Sequence, residues 1–261
     1  MFVIDQTPTW AATSTCVGGA GTCAPVNATT LGTFCTAAAT HYPSQTYWEI
    51  WNEPNLAGNW GPASLTSDYV LDLNACDADI KAVIPSAKII FGGLSPTATG
   101  GGNIAISTFV TQAYTHSPAF DIIGQHPYSY PWGLTKGDSS SNGWQAMLAV
   151  RNTMNANGDS AKQIWITEVG APTCGTGNPL NLDDNTPGGD TFPYMSLQAQ
   201  KTLFQQIVAT STSAWTNIGK IFAYTLIDAN SSDHSTNENC FGAAYYTNGQ
   251  PKPAYDVLRN L

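Results

Sequence analysis

Six short runs rich in β-branched and aromatic residues, each followed by a helix-length stretch, constrain this chain more than any other feature. The runs are Phe2–Asp5, Tyr47–Trp51, Ile89–Leu94, Asp121–His126, Ile164–Glu168 and Lys220–Ile227. Between them the pattern predicts helices over Thr30–Tyr42, Thr66–Ile84, Ala105–Thr115, Gly143–Asn157 and Met195–Thr212, with a last turn or two at Pro253–Leu261. In the second of these, Tyr69, Val70, Leu73, Ala75, Ile80, Val83 and Ile84 recur at roughly helical spacing. Strands alternating with helices of this length specify βα units and a parallel sheet. No repeat or low-complexity linker divides the chain, so residues 1–261 are expected to form a single domain.

Two of the strand runs end in the same way. In Tyr47-Trp48-Glu49-Ile50-Trp51-Asn52-Glu53-Pro54-Asn55 a strand runs into Asn-Glu and stops at Pro54, which cannot donate to the next ladder position. Ile164-Trp165-Ile166-Thr167-Glu168-Val169-Gly170 is likewise an apolar strand ending in one Glu before a glycine turn. Parallel α/β folds place their chemistry at the carboxyl ends of strands. The chain has only four glutamates, Glu49, Glu53, Glu168 and Glu238, so two at strand ends is a concentration that calls for a use. A carboxylate at the edge of a core costs desolvation unless it is paired or employed. Two carboxylates whose environments push their ionisation apart can serve as acid and base, the pair that glycosidic bond hydrolysis needs. Capping or ion pairing is the plainer alternative. Glu49 is expected to be an interior structural carboxylate that needs a partner, and Glu238 lies in a polar loop after the last strand. In Asp121-Ile122-Ile123-Gly124-Gln125-His126-Pro127-Tyr128, residues 124, 126 and 128 share one face if the strand stays extended, which aims His126 and Tyr128 at the same end of the sheet.

Length and charge narrow the class. The 261 residues lie near the ~250 of a single α/β barrel. Acidic residues outnumber basic ones 18 to 9, a net charge of −9, which disfavours phosphate backbones and anionic lipid. Nucleic-acid and membrane-surface roles are therefore not expected. Six cysteines, Cys16, Cys23, Cys35, Cys76, Cys174 and Cys240, permit three disulfides and lack the close pairing of a zinc site. The first eight residues lack the basic segment and long apolar run of a signal peptide. The expectation is a secreted protein whose leader has been removed or is not part of this sequence. Chain order suggests Cys16–Cys23, Cys35–Cys76 and Cys174–Cys240 among the fifteen possible pairings. A calcium site at Asp183-Asp184-Asn185 and Asp190 lacks EF-hand spacing.

Tyr-Trp-Glu-Ile-Trp-Asn-Glu-Pro-Asn (47–55), Gln-His-Pro-Tyr (125–128), Ile-Trp-Ile-Thr-Glu-Val-Gly (164–170) and Lys-Pro-Ala-Tyr (252–255), in this order over nearly the whole chain, resemble clan A glycoside hydrolases. Family 39 is the nearest and family 5 cellulase-like members come next. The resemblance implies a TIM-type (β/α) barrel and a retaining double displacement, with carboxyl groups about 5–5.5 Å apart and no metal or organic cofactor. It implies that Glu53 is the general acid/base, Glu168 the nucleophile and Asn52 the ligand of the sugar 2-hydroxyl. It further implies that Tyr128 positions the nucleophile and that His126 is the nearby site histidine. Tyr224 lies where many relatives carry an eighth-strand tryptophan. Trp60 and Trp132 follow strand ends closely and are candidate stacking platforms for sugar rings, with loop anchoring as the alternative.

A full barrel of this kind spends well over a hundred residues before its acid/base, at roughly 30 per βα unit, whereas 52 residues precede Glu53. Val3-Ile4-Asp5-Gln6-Thr7-Pro8-Thr9-Trp10-Ala11 resembles the third strand and its following loop. The fold class expected is thus an incomplete α/β barrel of about six parallel strands, corresponding to the third to eighth of the full barrel. Open parallel edges invite pairing, so a homodimer covering them is expected. The functional expectation is an extracellular retaining hydrolase of β-linked oligo- or polysaccharides. The alternative is a carbohydrate-binding protein on a catalytically impaired barrel.

Overall fold

The computed structural model describes residues 1–13, 22–61, 63–138, 140–184, 192–213 and 217–259. Six strands, β1 (Phe2–Ile4), β2 (Tyr47–Asn52), β3 (Lys88–Leu94), β4 (Ile122–Gln125), β5 (Gln163–Val169) and β6 (Ile218–Ala223), form one sheet in sequential order. The strands are parallel with helices between them, the arrangement of an incomplete TIM-type barrel. The helices are α1 (Ala28–His41), α2 (Thr66–Val83), α3 (Ile106–Tyr114), α4 (Gly143–Ala156), α5 (Leu197–Ser213) and the single turn α6 (Tyr255–Leu258). The chain divides into two compact units, Met1–His126 with Ala146–Trp165, and Pro127–Gln145 with Ile166–Leu261.

In the first unit, β2 is buried along its middle four residues, as a strand covered on both faces must be. Its register sets Val3 beside Glu49, Glu49 beside Ile90, and Asn52 beside Gly93, and the β3–β4 ladder shifts between Phe91 and Leu94. Tyr69 of α2 closes the layer between helix and sheet. Its hydroxyl accepts the Gly92 N–H (2.7 Å) and donates to the Ile50 carbonyl (3.1 Å). Its ring packs on Phe91, Phe109 and Trp60. Asn27 caps α1 by accepting the Thr30 N–H at 2.9 Å. Cys35 and Cys76 join α1 to α2 across 41 residues.

In the second unit, the Gln200 side chain on α5 is buried and donates to the carbonyls of Ala171 (2.8 Å) and Gly242 (3.1 Å). Cys174 and Cys240 close a separation of 66 residues. Each of these two cross-links removes about 4 kcal/mol of unfolded-chain entropy. Cys23 is also disulfide-bonded, and the Cys16 half of its expected pair lies outside the described residues.

The last strand is shorter than expected, ending at Ala223 rather than Ile227. From Thr225 onward the backbone bonds to the segment at 241–245 instead: the Thr225 N–H donates to Phe241 and the N–H groups of Ala243 and Ala244 donate to Thr225 and Leu226. The terminal helix is one turn, and residues 260–261 lie outside the described residues.

Asp72 is buried on α2, and that burial, reinforced by the charge of Asp68, pushes its carboxyl up to about 7. A carboxyl raised in the fold costs no stability below its unfolded value near ~3.9, and the cost grows as pH rises, complete above about pH 7. Asp72→Asn should therefore stabilise the chain by about 1–3 kcal/mol at about pH 8 and change little at about pH 4. Calorimetric unfolding at the two pH values checks this.

Candidate active site

At the end of β2 the chain leaves the strand through strained backbone. Trp51 and Glu53 both adopt left-handed conformations, with φ of 74° and 48°, a geometry that costs a non-glycine residue roughly 1–3 kcal/mol. The alternation of the strand therefore does not carry through to Glu53. Its direction is fixed instead by its own N–H, which donates to the Gly93 carbonyl at 2.9 Å. Its carboxylate is partly open, with 16% of the side chain exposed, and is held on both oxygens. The Asn59 amide donates to Oε2 at 2.9 Å, and Nδ1 of the buried His126 lies 3.0 Å from Oε1.

Glu49 finds the partner that the sequence demanded. It is buried and accepts the Gly93 N–H at 2.9 Å. Gly124 on β4 makes the room: a Cβ there would lie 2.5 Å from Glu49 Oε1 and 2.7 Å from the Phe91 carbonyl. Asn52, Trp51 and Asn59 line a cavity with Asp5, Gln6 and Thr22. The Trp60 expectation is corrected. Its ring is 1% exposed, packed edge-on against Trp51 and Tyr69, so neither face is open to a sugar. Trp144 is buried as well, whereas Trp10 is 82% exposed.

In the second unit, Glu168 near the end of β5 accepts a hydrogen bond from the Tyr128 hydroxyl at 2.9 Å. Because β4 stops at Gln125, strand alternation does not orient Tyr128 as expected. Its ring is instead set by edge-on contacts with Tyr130, Tyr224 and Phe241, at centroid distances of 6.3, 6.4 and 6.1 Å. Tyr224 joins this cluster just beyond β6, its N–H donating to the Val169 carbonyl at 2.9 Å. Burial, with the Glu238 charge adding to it, pushes the Tyr130 phenol up to about 12. Trp132 is half-buried, with the Lys136 ammonium 5.4 Å from its ring centre. Asp183 and Asp184 accept N–H bonds from Gly133 (2.7 Å) and Asn181 (2.8 Å), which commits one oxygen of each to local structure. Asn185 and Asp190 lie outside the described residues.

Three contributors were not anticipated. Asn59 lies in an ordinary turn six residues beyond Glu53, and Phe241 follows a cysteine in a loop. The third is Lys252, whose side chain is wholly buried. Its ammonium meets Asp228 (2.6 Å), Thr173 Oγ1 (2.7 Å) and the Gly242 carbonyl (2.8 Å). Asp228 in turn accepts the Gly242 N–H at 2.8 Å. The Lys-Pro-Ala-Tyr motif was the signal for it, though its role was not readable.

Several solved structures of glycosidases share this fold. A monomeric β-xylosidase from Caulobacter crescentus aligns over 98% of this chain and 51% of its own, at TM-score 0.60 and 16% identity. A GH39 enzyme from Xanthomonas axonopodis pv. citri aligns over 99% and 51%, at 0.64 and 16%. Fungal β-1,4-galactanases align over 92% and 73%, at 0.59 and 16%. The chain thus spans about half the length of the first two, and at this identity the likeness is one of fold. No protein-family model matches the sequence, and no curated protein matches it.

Removing one member of a buried ion pair strands the other. Lys252→Ala should lower unfolding free energy by about 3–5 kcal/mol. Adding Asp228→Ala should cost less than the two single losses combined, as read from urea denaturation of all three variants.

Proposed function

We propose that the chain is a secreted glycoside hydrolase that cleaves β-linked oligo- or polysaccharides by retaining double displacement. The reading rests chiefly on one observation: each strand-terminal glutamate is partly exposed yet held by dedicated partners. Glu53 has Asn59 and His126, and Glu168 has Tyr128. The fold likeness to xylosidases and galactanases supports the substrate class.

In this mechanism the Glu168 carboxylate attacks the anomeric carbon while Glu53 delivers its proton to the departing oxygen. A glycosyl ester on Glu168 results. Glu53, now a carboxylate, takes a proton from water, whose oxygen attacks the same carbon and releases Glu168. The chemistry requires the two carboxyl groups about 5–5.5 Å apart. Tyr128 orients the nucleophile, His126 the acid/base, and Asn52 binds the sugar 2-hydroxyl. Tyr224 and Trp132 contribute aromatic surface to the substrate. The described disulfides suit an oxidising compartment.

Glu168→Gln should abolish hydrolysis of all β-glycosides tested. Glu53→Gln should slow substrates with poor leaving groups by about 10²–10⁴ and nitrophenyl glycosides far less, because a good leaving group needs no proton. Kinetics across a leaving-group series decides this. Retained activity in Glu168→Gln would defeat the mechanism, and binding without turnover in the parent chain would favour a carbohydrate-binding protein.

A homodimer belongs to the same proposal. At the β1 edge Phe2, Val3 and Phe34 are 39%, 48% and 56% exposed, and a shallow groove beside them is lined by Ile4, Tyr42 and Trp48. Such an edge pairs readily when uncovered. Light scattering should show a dimer for the parent and a monomer for Val3→Lys with Phe34→Lys. A monomeric parent at micromolar concentration overturns this part.

A further inference from the structure

Of the cavity beside Glu53 the proposed mechanism uses Asn52 and leaves Asp5 and Gln6 without a role. The cavity measures about 110 Å³ and is lined by Asp5, Gln6, Thr22, Trp51, Asn52 and Asn59, all within the first unit. One water needs only ~10–15 Å³ of such space, so it has room for several hydroxyl-sized groups. Its described lining offers one carboxylate, three amides, one hydroxyl and no Lys, Arg or His.

Among the described residues three of these polar side chains, Asp5, Gln6 and Asn52, make no side-chain hydrogen bond or ion pair. Asp5 follows β1 directly and is half-buried, and that burial alone holds its carboxyl above the usual carboxylate range. A half-desolvated carboxylate without a partner is a cost the fold bears with no return of its own. Backbone strain gathers at the same place. Gln6, Trp51 and Glu53 have φ of 66°, 74° and 48°, three of the six left-handed non-glycine residues described. Such strain clusters at ligand-binding positions. Asn59 ties cavity to catalysis, since its carbonyl accepts the Trp51 indole N–H at 2.7 Å while its amide donates to Glu53.

We propose that this cavity is a subsite for a neutral sugar ring, in which Asp5 is the specificity-determining residue. It accepts hydrogen bonds from ring hydroxyls, and Gln6 and Asn52 offer further donors and acceptors. The proposal rests on the glycosidase reading for its ligand class. Charge decides between sugars. Hydroxyl groups donate well to a carboxylate, whereas the carboxylate of a uronic acid would meet Asp5 with no lining cation to offset the repulsion. The subsite therefore selects neutral rings against glycuronides.

The test measures binding and turnover separately, on the full chain. Neutral xylo-, gluco- and galacto-oligosaccharides and a β-glucuronide are titrated calorimetrically into Glu168→Gln, with and without Asp5→Asn. Nitrophenyl glycosides of the same sugars are assayed with the parent and with Asp5→Asn alone. The expected result is at least one neutral oligosaccharide bound, its affinity weakened about tenfold by Asp5→Asn, and a smaller preference over the glucuronide. Circular dichroism should be preserved and the unfolding midpoint kept or raised, because the substitution removes a desolvated charge and no internal bond. Unchanged affinity and KM in Asp5→Asn, or no neutral sugar bound at all, overturns the subsite. A parent that hydrolyses nothing, but whose sugar binding still depends on Asp5, overturns the hydrolase reading and leaves the subsite standing.

Discussion

Gly93 holds two glutamates at once: its N–H donates to the buried Glu49 and its carbonyl accepts the N–H of Glu53. One residue of β3 thus satisfies an interior carboxylate and fixes the turn from which the strand-end carboxylate projects. The arrangement needs backbone approach that side chains would block. A Cβ at Gly124 would strike Glu49 and the Phe91 carbonyl, and one at Gly92 would lie 2.5 Å from the Ile50 carbonyl. The glycines of β3 and β4 therefore create the space in which a buried carboxylate can be paired, which is the condition for keeping Glu49 so close to Glu53.

Much of this was legible in the sequence because the signals were local. All six strands and the five longer helices lie where alternation, β-branching and helical spacing put them, with ends displaced by a few residues. Parallel strands covered on both faces read as continuous apolar runs, and β2, β3 and β5 are of that kind. The end of β6 was misjudged because its hydrogen-bond partners at 241–245 are distant in sequence and carry no strand pattern. The same reason hid Asn59, Phe241 and the Lys252–Asp228 pair: each acts through a contact that spacing does not encode. Trp60 shows the converse. Proximity to a strand end suggested an exposed ring, but a tryptophan in a short turn can fold back onto the helix layer, as this one does against Tyr69.

The second unit solves a similar problem by different means. The loops beyond β5 and β6 carry few regular elements, and they are held by groups that saturate backbone carbonyls. Gln200 serves Ala171 and Gly242, and Lys252 serves Gly242 while neutralising Asp228. Cys174–Cys240 cross-links the same loops. A loop fixed in this way keeps Phe241 against Tyr128, and so fixes the phenol that donates to Glu168. Rigidity supplied by buried polar groups, rather than by a larger apolar core, lets loop residues hold the site geometry.

The supports of the two glutamates differ in a way that suits their proposed roles. A tyrosine hydroxyl donates to Glu168 and so fixes where one of its oxygens points, as a nucleophile needs. Nδ1 of His126 is more versatile, because an imidazole nitrogen can donate or accept according to its tautomer. When Glu53 is ionised, an Nδ1–H donates to Oε1. When Glu53 carries the proton, a bare Nδ1 accepts from it. The same 3.0 Å contact can therefore be made with either protonation state of Glu53. The Asn59 amide, which can only donate to Oε2, holds the carboxyl in place in both. An acid/base residue that must alternate between two protonation states is better served by one adaptable partner and one fixed one than by two fixed donors, which would bias it towards the carboxylate throughout.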